Sequence, residues 1–596
     1  MFLPTTRAEM DDLGWDRLQV ILVTGDSYID APSVGIAVIG HVLLDAGYRV
    51  GILGQPDIAT GDDISRLGEP ELFWGVTGGS VDSLVANTTA SGKRRRQDDY
   101  TPGGANDRRP DRAVIAYANL IRRHFRPTAP IVLGGIEASL RRVPHYDFWT
   151  DKIRRSILFD AKADALVYGM GERAVLELAA KLAAGKPFAD THGLSYVAST
   201  PPEDYVELPP FEEVAADPAA FEQMFHLFYR NNDPLTARGL RQRHGDRWLV
   251  QNPPAQHLTQ AELDAVYALP YEREQHPCYA VRGPVRALET IRFSITTHRG
   301  CYGECNFCAI AAHEGRTVVW RSEDSVVGEA ERITRHPTFR GIISDVGGPT
   351  ANMYGYECRK KLDHGACPDR RCLSPGLCRQ MRPDHGPQLR MLQRIRALPR
   401  VKKAFVASGI RYDLVLADAE HGDEYLQEIV LHHVSGQMKV APEHTDAEVL
   451  RLMGKPGMEG LLAFRARFNA LSRAAGKPQF LTYYFIAAHP GCSEAEMAAL
   501  RRFATEELHI APEQVQVFTP TPSTYSTLMY YTGRDPFTGE RLFVEKNPAR
   551  KERQKAMLTP APTTEGQKTT AGERPRRRSS TDRPGAQRKT SGTDSR

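Results

Sequence analysis

Seven of the nine cysteines in this 596-residue chain lie between Cys301 and Cys378. Cys301, Cys305 and Cys308 form a Cys-x3-Cys-x2-Cys pattern in the segment GCYGECNFCAI, so three thiols share one short loop. Cysteine thiolates are the usual ligands of iron-sulfur clusters. Three local cysteines without a local fourth favour a 4Fe-4S cluster whose fourth iron is left open to an exchangeable ligand.

A structural zinc site is the alternative for this loop. It would need a fourth ligand, which His298 or His313 could supply. The preceding residues 291–295 alternate apolar and polar side chains and predict a strand that ends just before Cys301. This strand, and the regular spacing of strands and helices after the loop, favour the iron-sulfur cluster.

The composition predicts a multidomain cytoplasmic protein. The hydrophobic fraction of 41% and the charged fraction of 25% are typical of globular domains. No uninterrupted apolar run approaches the roughly 20 residues that cross a bilayer, and the acidic segment MFLPTTRAEMDDLGWD does not resemble an export signal. Nine cysteines in a chain of this length do not make a disulfide scaffold, and clustered thiols in a reducing compartment bind metal or do redox work.

The charge distribution gives no indication of nucleic-acid binding. The net charge is +4, but residues 561–596 alone carry nine Lys or Arg and four Asp or Glu. The rest of the chain therefore has a net charge close to zero, without a global basic field. Residues 556–596 are poor in large apolar side chains and predict a disordered basic tail.

Alternating strands and helices predict an α/β fold in the first part of the chain. Residues 1–199 are expected to form a doubly wound parallel sheet with helices on both faces. The basic segment 91–96 and the polar residues after it, up to residue 111, predict an exposed insertion. The predicted strands are residues 18–23, 49–53, 72–76, 131–133 and 165–168, and the predicted helices are residues 34–46 and 113–125.

The second part of the chain predicts a partial barrel. Residues 200–283 are proline-rich and irregular, and we interpret them as a linking region. Residues 284–555 return to a strand-helix alternation that predicts six strand-crossover units, with the active site at the carboxyl ends of the strands. The predicted strands here are residues 291–295, 341–346, 403–407, 437–440, 480–487 and 514–518.

The chain resembles the YgiQ family of radical S-adenosylmethionine (SAM) proteins. Aromatic Phe307, directly before the last cysteine of the loop, fits the superfamily signature. The resemblance covers nearly the whole folded part of the chain. Its stretches are TGDSYIDAPSVGIAVIG at 24–40, GGIEASLRR at 134–142, the cysteine loop, SDVGGPTANMYG at 344–355, ASGIRYDL at 407–414, MKVAPEHT at 438–445 and FTPTPSTYSTLMYYTG at 518–533.

The resemblance implies a radical SAM enzyme with a 4Fe-4S cluster, SAM and an electron donor such as a flavodoxin or ferredoxin. An electron from the cluster would cleave SAM to methionine and a 5'-deoxyadenosyl radical, which abstracts hydrogen from an unidentified substrate. Superfamily members bind the SAM amino group through a Gly-Gly-Glu turn, and Gly347 and Gly348 occupy that place here. Pro349 replaces the glutamate, so only the glycines are carried over.

Other residues are candidates for the same cofactor. Ser408, Gly409 and Arg411 follow the third predicted strand and would face SAM, although an ordinary turn at the end of the strand is an equal alternative.

A second group of cysteines, Cys358, Cys367, Cys372 and Cys378, directly follows the predicted SAM turn. Four thiols in a short polar stretch predict a second metal site, which zinc or an auxiliary iron-sulfur cluster would satisfy equally. Free surface thiols are the alternative. Cys278 and Cys492 are isolated, and each is expected to be a small core residue.

The N-terminal domain resembles the cobalamin-binding domain of some radical SAM enzymes. Those domains carry an Asp-x-His-x-x-Gly motif whose histidine binds cobalt, and Tyr28 stands at the histidine position here. An empty or repurposed domain is therefore favoured over bound cobalamin. A second function of another class, a zinc-bearing nucleic-acid-binding protein without radical chemistry, would use both cysteine groups structurally and the basic segments as phosphate contacts.

Overall fold

The computed structural model describes residues 1–368 and 370–559, so most of the predicted tail lies outside the described residues. The largest element is a nine-stranded sheet. Its strands, in spatial order, are Val206–Glu207, Leu240–His244, Arg247–Gln251, Leu194–Ala198, Ala165–Val167, Ile131–Gly134, Phe73–Thr77, Val20–Thr24 and Val50–Gly54.

Five neighbouring strands of this sheet, from Ala165–Val167 to Val50–Gly54, are parallel to one another. Val20–Thr24 and Val50–Gly54 are buried at every position, because helices cover both faces. Helix Gly35–Asp45 packs against Glu172–Ala183, and Ala113–His124 packs against Ile157–Ala161. The five strands and both helices predicted for this region are present, with ends displaced by one or two residues.

Residues 200–283 are more regular than the predicted linking region. Leu240–His244 and Arg247–Gln251 form an antiparallel hairpin, and the second of these strands pairs with Leu194–Ala198. The sheet that begins in residues 1–199 is therefore completed by residues beyond that boundary. Glu274–Gln275 then pairs with Ile29–Asp30, which ties this region back to the first loop of the sheet.

The second part of the chain contains parallel strand pairs that follow chain order. Ser294–Thr296 pairs with Asp345–Gly347, and Ile342–Ile343 pairs with Lys403–Ala404. A single bridge joins Ile410 to Val440. A parallel three-stranded sheet completes the series with Gln437–Glu443, Phe480–Ala487 and Gln514–Val517.

Helices separate these strands and cover a second apolar core. The capping box predicted at Ser493 and Glu496 is present and begins the helix Glu494–Glu506. The other helices of this part are Leu288–Ile291, Ile310–His313, Glu323–Thr334, Arg359–His364, Gly386–Arg396, Tyr412–Ala417, Gly422–Glu428, Ala447–Met453, Glu459–Ala474, Tyr525–Thr532 and Pro548–Ala556, with a π-helical turn at Ile429–His433.

The remaining elements belong to the N-terminal part or to the hairpins. The helices are Arg7–Asp12, Asp62–Ser65, Ser83–Asn87, Gly135–Ser139, Phe211–Ala216, Pro218–Arg230 and Gln260–Ala268, with short 3-10 turns at Pro102–Gly104 and Pro277–Arg282. Two further antiparallel pairs join His145–Asp147 to Lys152–Arg154 and His298–Arg299 to Val319–Trp320. Among the described residues, no helix is both long and apolar enough to cross a bilayer.

The two parts of the chain pack against each other. Helix Pro218–Arg230 contacts helix Tyr525–Thr532, and the rings of Phe225 and Tyr525 lie 4.9 Å apart. The Ser523 hydroxyl donates a hydrogen bond to the Leu140 carbonyl at 2.8 Å. These contacts join helix Pro218–Arg230 and Leu140 to the second, barrel-like part of the chain, which we count from residue 284.

Candidate functional site

The cysteine loop begins after the short strand His298–Arg299 and ends at the helix Ile310–His313. The strand Val319–Trp320, which follows this helix, pairs with His298–Arg299. A Cβ built on Gly303 would lie 3.2 Å from Cys301 Sγ and 3.9 Å from Cys305 Sγ, so both sulfurs lie close to the same glycine. Among the described residues, no three cysteine sulfurs lie within 4.8 Å of one another. A closed tetrahedral zinc site needs separations of about 3.8 Å, whereas a cubane binds each thiolate to a different iron.

The three thiols are partly buried, and Arg411 brings a positive charge close to Cys301. Burial raises the pKa of Cys301, and the neighbouring Cys305 thiol raises it further. Burial and Cys305 raise the pKa of Cys308 in the same way. Because a bound metal deprotonates its thiol ligands outright, iron would supply the positive charge that stabilises thiolates in this partly buried loop. The donor set and its partial burial fit a 4Fe-4S cluster.

The predicted SAM turn lies beside this loop. Thr350 directly follows Pro349 in the turn, and its Oγ1 lies 3.6 Å from Cys301 Sγ. A Cβ built on Gly348 would lie 2.6 Å from both Cε1 and Nε2 of His298, so the His298 ring requires glycine at this position. The turn therefore presents its backbone closely to the space in front of it.

A cavity of about 540 Å³ opens in front of the turn, between the barrel-like part and the N-terminal sheet. This volume is in the range of small-molecule sites. The sheet contributes the loops at the carboxyl ends of its parallel strands, where doubly wound sheets bind ligands. The lining residues include Asp26, Gly35, Thr77, Gly79, Gly135, Gly169, Glu172, Thr296, His298, Arg299, Asp345, Gly347, Gly348, Pro349 and Ser408.

The structure separates the three residues that were expected to face SAM after the third strand. Ser408 lines the cavity, and its hydroxyl and backbone N–H both donate to the Asp345 carboxylate. The Gly409 carbonyl instead accepts a hydrogen bond from the Ala351 N–H at 3.0 Å, which holds the SAM turn. Arg411 is not among the cavity residues and points to the cysteine loop.

Sequence reasoning considered His298 only as a zinc ligand. Burial lowers the pKa of His298 to about 4, so the ring is neutral near pH 7. Its Nδ1 lies 2.9 Å from Thr297 Oγ1, while Nε2 has no hydrogen-bond partner among the described residues. The placement of a histidine three residues before Cys301, at the end of the first strand, was the available signal for a cavity-facing role.

A buried ion-pair network in the N-terminal part was not predicted. Arg109 lies in the segment that we expected to be an exposed insertion, yet its side chain is fully buried. Its Nη1 lies 2.7 Å from Asp26 Oδ1, and its Nη2 lies 3.0 Å from Asp98 Oδ2. The Ser80 N–H also donates to Asp26, at 2.6 Å. The insertion is thus fastened to the cavity wall.

Tyr28 does not face the cavity. The side chain is fully buried, the Leu3 N–H donates a 3.2 Å hydrogen bond to its hydroxyl, and the ring stacks on His276. Tyr28 therefore cannot take the place of the cobalt-binding histidine, and the residue at that position does not fit a cobalamin whose cobalt is bound by the protein.

The second cysteine group is only partly assembled. Cys358, Cys372 and Cys378 pack in one small apolar cluster with Tyr302, the residue after Cys301, while the described contacts do not include Cys367 in it. Burial raises the pKa of Cys372 to about 12, although Lys361 opposes this. The metal site predicted here stays a prediction.

The two isolated cysteines differ from each other. Cys492 is fully buried, as expected, but Cys278 is exposed. The short 3-10 turn Pro277–Arg282 places Cys278 at the surface, so its prediction as a core residue was wrong.

Comparison with known proteins decides the family. Residues 2–294 match the family model described as Radical SAM N-terminal, and residues 513–563 match a domain of unknown function, DUF3362. A UPF0313 protein of Fusobacterium nucleatum is 54% identical over 559 residues, which cover 94% of this chain and 98% of the relative. The chain belongs to the UPF0313 family. The predicted relation to the YgiQ family of radical SAM proteins is confirmed.

Other UPF0313 relatives match over similar lengths. The Thermotoga neapolitana protein is 50% identical over 550 residues, covering 92% of this chain and 96% of the relative. The Methanocella arvoryzae protein is 46% identical over 558 residues, covering 93% and 92%. These matches show the UPF0313 family, and the match of residues 2–294 to the Radical SAM N-terminal model points to a radical SAM enzyme.

Two solved structures are similar at low sequence identity. The radical SAM methyltransferase TsrM from Kitasatospora setae, with cobalamin and a 4Fe-4S cluster bound, is 17% identical with a TM-score of 0.49, covering 86% of this chain and 77% of TsrM. The cobalamin-dependent radical enzyme OxsB is 11% identical with a TM-score of 0.49, covering 88% of this chain and 57% of OxsB.

Proposed function

We propose that this UPF0313 protein reductively cleaves SAM at a 4Fe-4S cluster held by Cys301, Cys305 and Cys308, and abstracts hydrogen from a substrate bound in the cavity. The single observation that carries the proposal is the position of the cavity. It joins the Gly347-Gly348 turn, beside the cysteine loop, to the ligand-facing edge of the N-terminal sheet.

In this proposal the cofactors and the residues of the chain have different roles. The cluster and SAM, when bound, supply the electron transfer and the radical. Gly347 and Gly348 let the backbone approach SAM closely, and Ser408 presents a hydroxyl that Asp345 holds in place. Neutral His298 packs against Gly348 and so supports the turn without adding a charge to the cavity wall.

The lining of the cavity supports radical chemistry in a second way. Most of the lining surface comes from apolar side chains on both sides, among them Val76 and Ile295. Such a lining excludes water and protects a reactive intermediate. The proposal also includes a partial barrel of six strand-crossover units. It further requires an external electron donor such as a flavodoxin or ferredoxin.

Anaerobic reconstitution with iron and sulfide tests this function. The reconstituted protein should absorb near 400 nm, an expectation from general cluster chemistry, and release 5'-deoxyadenosine from SAM after reduction. Cys301→Ser, Cys305→Ser and Cys308→Ser should each lose both properties. Cys278→Ser is the matched control, because that thiol is exposed and lies outside both cysteine groups. An intact, reduced cluster that yields no 5'-deoxyadenosine would overturn the proposal.

A further inference from the structure

Arg411 brings a buried positive charge to the cysteine loop. A Cβ built on Gly303 would lie 3.3 Å from Arg411 Nη1, 3.2 Å from Cys301 Sγ and 3.9 Å from Cys305 Sγ. The guanidinium and two of the three thiols therefore meet around a glycine that has no side chain to separate them. Arg411 is 8% exposed, so its charge acts in a medium of lower effective dielectric than water.

Two neighbouring residues fix Arg411 in this position. Asp413 accepts hydrogen bonds from Nε at 2.8 Å and from Nη2 at 2.6 Å. Asn352 accepts from the Arg411 N–H at 2.8 Å and donates to the Arg411 carbonyl at 3.0 Å. Both the backbone and the head group are held, so the guanidinium cannot turn toward the cavity without breaking its ion pair.

The remaining charges near the loop are weaker candidates for influencing the thiols. Glu443 is buried near Cys308, and burial raises its pKa although Lys455 and Arg411 oppose this. Lys455 Nζ lies 4.0 Å from Glu443 Oε1 and donates to the Ala441 carbonyl. Lys455 is thus engaged by Glu443, whereas Nη1 of Arg411 is directed to the sulfurs.

We propose that Arg411, positioned by Asp413, raises the reduction potential of the cluster at the cysteine loop. The inference rests on the proposed function, because it requires a cluster on these cysteines. In the step concerned, an external one-electron donor gives one electron to the cluster, and no proton moves. A fixed positive charge stabilises the more negative reduced state, so Arg411 makes this electron easier to accept, and Asp413 offsets part of the effect.

A redox titration followed by electron paramagnetic resonance tests the proposal on the reconstituted full-length protein. Arg411→Gln should shift the potential to more negative values, and Asp413→Asn should shift it to more positive values. Arg411→Lys keeps the charge and should stay close to the wild type. A purely structural role would move both neutral variants in the same direction, so shifts of the same sign, or no shift, would overturn the proposal.

Two additional measurements separate the alternatives. Iron content and absorbance come first: a wild-type protein that takes up no cluster overturns the proposed function as well, whereas a cluster with unchanged potentials overturns only the role of Arg411. The SAM dissociation constant comes second. If the SAM dissociation constant of Arg411→Gln is ten times larger than that of the wild type and the reduction potential is unchanged, Arg411 is a SAM ligand instead. If Arg411→Gln does not retain the cluster, Asp413→Asn and Arg411→Lys still give the predicted contrast.

Discussion

Arg299 Nη1 lies 2.5 Å from Glu172 Oε1, and this ion pair joins the barrel-like part to the N-terminal sheet. The side chains of Arg299 and Glu172 are 12% and 5% exposed, and both line the cavity. The Tyr267 hydroxyl accepts a further hydrogen bond from Arg299 Nε at 3.2 Å. This ion pair, which is largely shielded from water, therefore connects the two sides of the cavity.

Removing one partner of this pair should destabilise the protein. Arg299→Met and Glu172→Gln should each lower the free energy of unfolding by about 3–5 kcal/mol, because a buried charge loses its counter-ion. The double variant should lose less than the sum of the single losses. Urea denaturation of all four proteins measures this coupling, and strictly additive losses would contradict it.

Gly348→Ala should weaken SAM binding, because the added methyl group collides with the ring of His298 and displaces the turn. A tenfold increase in the dissociation constant corresponds to about 1.4 kcal/mol. Gly409→Ala is the matched control, since a Cβ at that glycine meets nothing within 4 Å. Equilibrium dialysis of reconstituted protein with SAM measures both constants, and equal affinities for the two variants would show that the close approach of Gly348 has no role in binding.

The second cysteine group should hold metal in addition to the cluster at the loop. Cys372→Ser and Cys378→Ser should therefore lower the metal content per chain relative to the wild type and to Cys278→Ser. Elemental analysis for iron and zinc identifies the ion: loss of iron indicates an auxiliary cluster and loss of zinc a structural site. An unchanged metal content would mean that these cysteines are ordinary thiols.

His244 should make the protein less stable as the pH falls below 6.5. Burial between Phe159 and Phe211 lowers its pKa to about 3, so the unfolded chain binds a proton in the window from 6.5 down to 3 while the folded chain does not. Stability is lost across that window as the pH falls, by at most about 1.4 kcal/mol per pH unit.

His244→Phe keeps the aromatic packing and removes the titration. The free energy of unfolding, measured in urea between pH 6.5 and pH 5, should therefore depend less steeply on pH in this variant than in the wild type. Identical slopes would mean that His244 takes up its proton in the folded protein as well.

The parallel strands could be predicted from sequence because they are apolar on both faces. The hairpin beyond residue 199 could not, since Leu240–His244 carries two arginines and buries a polar residue, Gln242. Gln242 is tolerated there because its Nε2 donates to the Pro209 carbonyl at 2.8 Å. Hydropathy patterns do not detect a strand whose inward side chain is satisfied by a hydrogen bond.

The candidate site, like the fold, could be predicted only in part from the sequence. The spacing of the three cysteines on one loop predicts a cluster site, and the Gly347-Gly348 turn is predicted from its resemblance to a superfamily motif. Asp26 and Arg109 are far apart in sequence and belong to no motif, so only the fold reveals their ion pair. Arg411 was expected at SAM because it follows a strand, but the Asp413 carboxylate turns it toward the sulfurs.

The antiparallel hairpin formed by Leu240–His244 and Arg247–Gln251 also determines where the chain can be cut to express its N-terminal part alone. Leu194–Ala198 is an interior strand only because Arg247–Gln251 pairs with it. A fragment ending near residue 199 would expose a row of unpaired backbone groups, which is a template for intermolecular strand pairing. Soluble expression of the N-terminal part therefore requires a cut placed after the hairpin, beyond Gln251.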